Sequence, residues 1–599
     1  MKSLVRKRAR IAAVAAGLAS IGVLTPIVVS HAAVGHTKSY AYGSHKRQAL
    51  DAYWNDPKPG SSQPGIVILH GGYWQTGKKI DWKANAEWFA GQGFAVFSVD
   101  YRFNTDAPWP APRDDAMAAV AWIKSHASSF RLDPGRIAVI GSQSGGQLAA
   151  HLGTSGSGGA RVRGVVGLSP IASPRLAYDS AQTSASTTSQ RKARDQTVLL
   201  ANCSPTYSEP VCAARYQDMA AATGASADDA PMLLVHSAGD MFPALHSEQL
   251  RTALTAAGDG DVTVRTVTGS ASGGPLLTTG ERDQVLAWIR ARTASRAAVS
   301  ATTPRPGDTT GKRPPALVPS RRTTDDGTAA APRISARTTA SRIEQTGLAY
   351  GTDARQKIDA YYHPSAARRP AILMIHGGYW YEGDKSSWAG QARWFSDHGY
   401  AVFAAGYRLN TQAAWPAQRT DVIAAVNWIK VRAATYAVDP KRVVLLGSSA
   451  GGHLVTNVGT YGTGTGTVKA VAAVSPVASP YKAYYDGEAA GAKNNRHKLR
   501  DTAVLLTRCT PEKADTACWN RWVDAVSFNH ASAGDTPMYL VHSAGDFVPP
   551  QHSVKLCQRL AAVKVSCTAR TITGSAHGMD VLASGTVRDD LLKWIQDHD

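Results

Sequence analysis

Short apolar runs recur through the second half of the chain: AILMI at 371–375, AVFAA at 401–405, RVVLLG at 442–447, VKAVAAV at 468–474 and MYLVHS at 538–543. Between them lie stretches with helical spacing, such as TDVIAAVNWIKVRA from Thr420, which leads into the run at Arg442. Runs this short read as strands, and strands separated by helices predict a mainly parallel sheet covered on both faces. Sheets of this kind carry their sites at the carboxyl ends of the strands. The polar residues of this half cluster at those ends.

The pattern occurs twice. YGSHKRQALDAYW from Tyr42 returns as YGTDARQKIDAYY from Tyr350, HGGYW from His70 returns from His376, and VHSAGD from Val235 returns from Val541. His70 and His376, like Asp240 and Asp546, are separated by 306 residues. A chain of 599 residues is too long for one core, and this self-similarity divides it into tandem copies at 36–295 and 343–599. Residues 296–342 are rich in Thr, Ala, Ser, Pro and Arg without apolar periodicity, which describes a disordered linker. Its length argues against an obligatory rigid pairing of the copies.

Composition narrows the picture. With 43% hydrophobic and 18% charged residues the chain is a folding sequence. Its net charge of +20 is concentrated in Lys2, Arg6, Lys7, Arg8 and Arg10 and in the linker. No basic stripe interleaved with aromatics appears, so nucleic acid is not an expected partner. The basic start followed by IAAVAAGLASIGVLTPIVVSHAA reads as a secretory signal over 1–32, cut after Ala32. An uncleaved anchor is the alternative, but Pro26 and the SHA/A junction favour cleavage, so a secreted protein with no stable membrane anchor is expected. Cys203 with Cys212, Cys509 with Cys518, and Cys557 with Cys567 each close a local loop, the spacing of three short disulfides in an exported chain. No CxxC or HExxH occurs, and no metal site is expected.

The chemistry lies in the second copy. After RVVLLG comes GSSAGG, a GxSxG elbow with Ser449 at its centre and Gly447 and Gly451 beside it. Asp546 follows the strand MYLVHS, and His577 lies in TITGSAHG after a further strand. In this order His577 would take the Ser449 proton, Asp546 would fix the imidazole tautomer, and the serine would attack an acyl carbonyl. The backbone N–H of Ala450, with those of Gly377 and Gly378, would meet the developing oxyanion. No cofactor is required. His376 reads as a loop support, His453 as a helix residue behind the elbow, and His542 as a strand-end residue. The glycines of GTYGTGTG, from Gly459, follow a helix and precede a strand, the wrong order for a phosphate cradle.

Taken together, YGxxxRQxLDxY, HGGYW, WPA, DPxRV, GSSAGG, HSAGD and SAHG resemble the α/β-hydrolase esterases related to hormone-sensitive lipase, including feruloyl-esterase-like enzymes and kynurenine formamidases. The resemblance covers nearly all of both copies and implies two tandem α/β-hydrolase domains, each with a small cap insertion. It also implies hydrolysis of a carboxylic ester or small amide, with Ser449, Asp546 and His577 on the triad positions. Two departures stand out: Tyr379 replaces the third glycine of HGGG, and Gly406 stands where the first copy has Asp100.

At the equivalent elbow the first copy has GSQSGG, with Gln143 at the nucleophile position, and Ser272 stands where the second copy has His577. Only Asp240 is kept, so this copy is expected to be a pseudoenzyme. Esters and amides share the mechanism and are not separated by these residues; the substrate is a small ester, aryl ester or amide, and a polysaccharide-linked ester stays open. The competing reading is a binding protein with incidental turnover. The segment from about Val477 to Pro537 reads as the cap, with Tyr481, Tyr484, Tyr485, Trp519 and Trp522 either lining the cleft or filling the cap.

Overall fold

The computed structural model describes residues 34–154, 161–182, 185–205, 210–258, 260–294 and 341–599. The signal expected at 1–32 and nearly all of the linker expected at 296–342 lie outside the described residues.

The first copy contributes β1 (His36–Ala41), β2 (Ala49–Trp54), β3 (Gln63–Leu69), β4 (Ala95–Val99), β5 (Leu132–Ser142), β6 (Gly164–Leu168), β7 (Met232–Ser237) and β8 (Val262–Val267). The second contributes β9 (Ile343–Ala349), β10 (Lys357–Tyr362), β11 (Arg369–Ile375), β12 (Ala401–Ala405), β13 (Val438–Ser448), β14 (Ala470–Val474), β15 (Met538–Ser543) and β16 (Cys567–Ile572). Each set forms one eight-stranded sheet, in the orders β1-β2-β4-β3-β5-β6-β7-β8 and β9-β10-β12-β11-β13-β14-β15-β16. β2 and β10 run antiparallel to both of their neighbours, and every other strand pair in the two sheets is parallel.

Strands β12 and β14 and the ends of β11 and β13 are buried throughout, which explains why their sequences are continuous apolar runs rather than alternating ones. In the second copy Trp388, Phe395, Leu591 and Ile595 cover one face of the sheet. Val426, Ile429, Leu454 and Val455 lie in the core on the helices Ala417–Val431 and Ala450–Thr460. Burying each such side chain contributes about 1.5–3 kcal/mol. The three expected disulfides are all formed, and the described residues contain no free cysteine. Among the described residues no helix is long and apolar enough to cross a membrane.

The copies are in direct contact, contrary to the expectation drawn from linker length. The helix Thr188–Ala201 packs against Asn494–Thr507. Tyr178 donates to Asp501 Oδ2 at 2.7 Å, and Tyr484 donates to Asp195 Oδ2 at 2.9 Å. Arg194 reaches Tyr484 at 3.1 Å, and Arg500 reaches Tyr178 at 3.3 Å. Within this network Arg194–Asp195 and Arg500–Asp501 pair at 2.7 Å with all four side chains fully buried, and Glu488 accepts from both arginines. Each Tyr–Asp, Arg–Tyr and Arg–Asp bond has its counterpart 306 residues away, the reciprocal pattern of a two-fold interface joined into one chain, and Glu488, with Gln182 at its counterpart position, departs from it. Linker length sets how far two domains can separate; the buried charges set whether they do.

Candidate active site

The elbow is built by close approach of backbone. Ser449 has φ +54° at the junction of β13 and the helix Ala450–Thr460, and is the last residue before that helix. A Cβ on Gly447 would lie 2.4 Å from the Gly451 carbonyl, and one on Gly451 would lie 2.2 Å from the Ile375 carbonyl. Only glycines let the helix sit this closely on β13 and β11, and that seating lifts Ser449 above the end of the sheet.

The structure brings Ser449, His577 and Asp546 together. His577 Nε2 lies 2.9 Å from Ser449 Oγ, and His577 Nδ1 lies 2.7 Å from Asp546 Oδ1. Asp546 is itself held by the Val548 amide at 2.9 Å and has His542 Nδ1 within 3.7 Å of its second oxygen. Burial alone would raise the Asp546 carboxyl, but the His542 and His577 imidazoles outweigh it and hold the group well below the ordinary carboxylate range. An acid kept ionised beside Nδ1 leaves Nε2 free to accept from the serine.

The Gly377–Gly378 loop stands next to Ser449. The Cβ position of Gly377 is 3.1 Å from that of Ser449, and Gly378 takes φ +107° where a Cβ would meet the Glu382 carbonyl at 2.2 Å. Ala450 opens the helix, so its amide lies at the positive helix end. Tyr379 and Trp380 continue the loop at φ +58° and +57°, a conformation costing about 1–2 kcal/mol for each non-glycine residue. Trp380 is buried and donates to His453 Nδ1 at 3.0 Å, which helps hold the loop. Tyr379, in place of the third glycine, stacks on Phe547 with ring centroids 6.0 Å apart, and Phe547 packs 4.1 Å from the His577 ring.

The other histidines fall where the sequence puts them. His376 bonds the Gly377 carbonyl at 2.7 Å and stacks on Tyr407, and burial pushes it down to about 4. His453 lies in the helix behind the elbow, bonded to the Ala525 carbonyl at 2.6 Å and pushed by burial to about 3. His542, the penultimate residue of β15, meets Ser553 Oγ at 2.8 Å. At Gly406 a side chain would come within 2.6 Å of the Arg355 carbonyl, whereas Asp100 in the first copy accepts from the Lys79 amide. Of the cap aromatics, Tyr484 is spent on the contact with the first copy, and Trp522 is buried with its indole N–H on the Cys509 carbonyl. Tyr481 and Trp519 pack edge to face and line an open groove of about 550 Å³ with Phe528 and Lys555.

Sequence reasoning missed Phe547, Ser475, Arg496 and Lys498. Ser475 Oγ accepts from the Gly578 amide at 2.9 Å, steadying the segment that carries His577. Arg496 Nε donates to the Phe547 carbonyl at 3.0 Å. Lys498 bonds Glu382 at 2.8 Å and lies 4.3 Å above the Tyr379 ring. Only the position of Phe547, one residue after the acid, could have pointed to it.

The first copy keeps the elbow with Gln143 and Ser272 at the positions of Ser449 and His577. Gln143 takes the elbow conformation at φ +47°, and its amide nitrogen donates to Ser272 Oγ at 3.2 Å. Asp240 is held by the Phe242 amide at 3.0 Å and by Ser169. The cleft at this elbow has a volume of about 490 Å³, and His70, Gly71, Gly72, Ser142, Gln143 and Ser272 are among the residues that line it.

A family model, BD-FAE, matches residues 50–254 and again 358–560. The chain is 27% identical over 269 residues to "Probable carboxylic ester hydrolase LipM" of Mycobacterium tuberculosis, covering 40% of this chain and 56% of that protein. It is 39% identical over 100 residues to "Carboxylesterase NlhH" of the same species, covering 16% of this chain and 31% of that protein. The chain thus spans about half the length of the first relative and about a third of the second. Among solved structures, esterase B from Lactobacillus rhamnosis aligns with 44% of this chain and 87% of its own, at 24% identity and a TM-score of 0.36. The two matched segments exceed half of the chain and each falls on one of the two sheets, so the chain belongs to the BD-FAE family and carries its α/β-hydrolase fold twice in tandem.

Proposed function

We propose that the chain is a secreted serine hydrolase of carboxylic esters whose chemistry resides in the second copy. The observation that carries this reading is the unbroken hydrogen-bonded line from Ser449 Oγ through His577 to Asp546. His577 Nε2 takes the Ser449 proton as Oγ attacks the carbonyl carbon; the oxyanion is met by amides of Gly377, Gly378 and Ala450; the imidazolium then protonates the leaving alkoxide. Water, deprotonated by the same nitrogen, releases the acid and restores the serine. The Phe547 ring against His577, with Tyr379 stacked on it, favours a small acyl or aryl group in the cleft.

The first copy is a pseudoenzyme in this reading, because Gln143 and Ser272 can supply neither nucleophile nor base. Three disulfides support an oxidising compartment, in keeping with a secretory leader over 1–32. The test is turnover of short acyl, aryl and feruloyl esters beside N-formyl aryl amides. Ester cleavage should exceed amide cleavage, and Ser449→Ala should lower it by about 10⁶-fold. Undiminished cleavage by Ser449→Ala would overturn the reading.

A further inference from the structure

Acyl transfer makes no use of the helix Asn494–Thr507, yet this helix touches both the cleft and the first copy. At its middle, Arg500 and Asp501 are fully buried and held from across the interface: Tyr178 and Ser204 donate to Asp501, and Arg500 donates to Gln182 at 3.0 Å. One turn earlier Arg496 holds the Phe547 carbonyl, and Lys498, pushed by burial down to about 8, bonds Glu382 and covers Tyr379. Phe547 packs 4.1 Å from the His577 ring, and Tyr379 stacks on Phe547 at 6.0 Å.

We propose that the first copy serves as a fixed half of the catalytic unit, its Tyr178, Gln182 and Ser204 holding the helix Asn494–Thr507 so that Arg496 and Lys498 shape the Phe547–Tyr379 wall of the cleft. This rests on Ser449 being the nucleophile. The coupling is mechanical. From Arg496 to Arg500 is about 6 Å of helix, which moves as a rod, so a shift at the buried pair reaches the wall. Misplacement of about 1 Å in such a wall can cost up to about 10²-fold in rate. The first copy's residues are positioning residues here, acting on substrate fit without touching it.

The experiment uses the full chain and p-nitrophenyl acetate, butyrate and hexanoate, with active sites counted by fluorophosphonate labelling. The variants are Tyr178→Phe with Ser204→Ala, the milder Gln182→Ala, and Arg496→Gln within the catalytic copy. Interface variants should raise KM for the hexanoate by about tenfold, with a smaller rise for the acetate and kcat per labelled site within about twofold. Arg496→Gln should give the same chain-length pattern. Combined with an interface variant, it should add little, because both loosen one helix. An interface that merely stabilised the fold would lower the number of labelled sites and leave KM alone. Unchanged KM for every ester in Gln182→Ala and in Tyr178→Phe/Ser204→Ala, or additive effects in the combination, would overturn the proposal. Should the double variant fail to fold, Gln182→Ala alone and with Arg496→Gln decides it. Absence of labelling in the unmodified chain would instead refute Ser449 as nucleophile.

Discussion

Asp501→Ala removes one carboxylate from the contact between the copies, and its cost follows from what is left behind. Asp501 accepts from Tyr178 at 2.7 Å and from Ser204, and pairs with Arg500 at 2.7 Å, with both charged side chains fully buried. Without it the Arg500 guanidinium keeps Glu488 at 3.2 Å and Gln182 at 3.0 Å but loses its nearest counter-charge. Breaking a buried pair on one side costs about 3–5 kcal/mol. Because Glu488 still compensates part of the charge, the lower end, about 3 kcal/mol, is expected. In a unit of this size each kcal/mol shifts the melting temperature by about 2–4 °C, so the transition should fall by about 6–12 °C. Differential scanning calorimetry at neutral pH reads this, with Asp179→Ala as the control. Asp179 pairs with Arg175 at 2.8 Å, but both are about half exposed, and such surface pairs contribute about 0–1 kcal/mol. Asp195→Ala, the counterpart 306 residues earlier, should behave like Asp501→Ala. If Asp501→Ala and Asp195→Ala melted within a degree or two of Asp179→Ala, the copies would not be held together by this network.

Three further outcomes are expected. Non-reducing peptide mapping should recover Cys203 with Cys212, Cys509 with Cys518 and Cys557 with Cys567, the pairs in the structure; a link between the two copies would contradict it. The Asp546 carboxyl is depressed on folding, so its contribution is complete above the unfolded value of about 3.9 and is lost as pH falls toward the folded one. Asp546→Asn should therefore destabilise the chain more at pH 6 than at pH 3 in denaturant titrations, and an equal difference at both pH values would refute the assignment. Gln143→Ser alone should leave the first copy of a Ser449→Ala chain inert, since Ser272 cannot act as base; hydrolysis there requires Ser272→His as well, and activity in the single change would contradict this.

Much of the site was legible because its constraints are local. The glycines around Ser449 follow from a helix that must touch β11 and β13, and Asp546 and His577 follow from the order of strands whose apolar runs stand clear in the sequence. The contact between the copies was not legible, for a physical reason. Arg194, Asp195, Arg500 and Asp501 look like a solvent face beside apolar helix positions, and nothing in local spacing tells a charge facing water from one facing a partner 306 residues away. In the sequence Tyr379 is only a departure from a glycine motif. Its packing on Phe547 depends on a loop at positive φ, which sequence pattern does not specify for tyrosine.

The assignment of chemistry to one copy comes down to which serine is activated. A serine activated by an adjacent general base attacks a fluorophosphonate readily, and among the two elbows that arrangement is made by Ser449, His577 and Asp546. Mass spectrometry of the labelled full-length protein should find one adduct per chain, on the peptide containing Ser449. An adduct on Ser142 or Ser144, or stoichiometric labelling that survives Ser449→Ala, would place the reaction elsewhere.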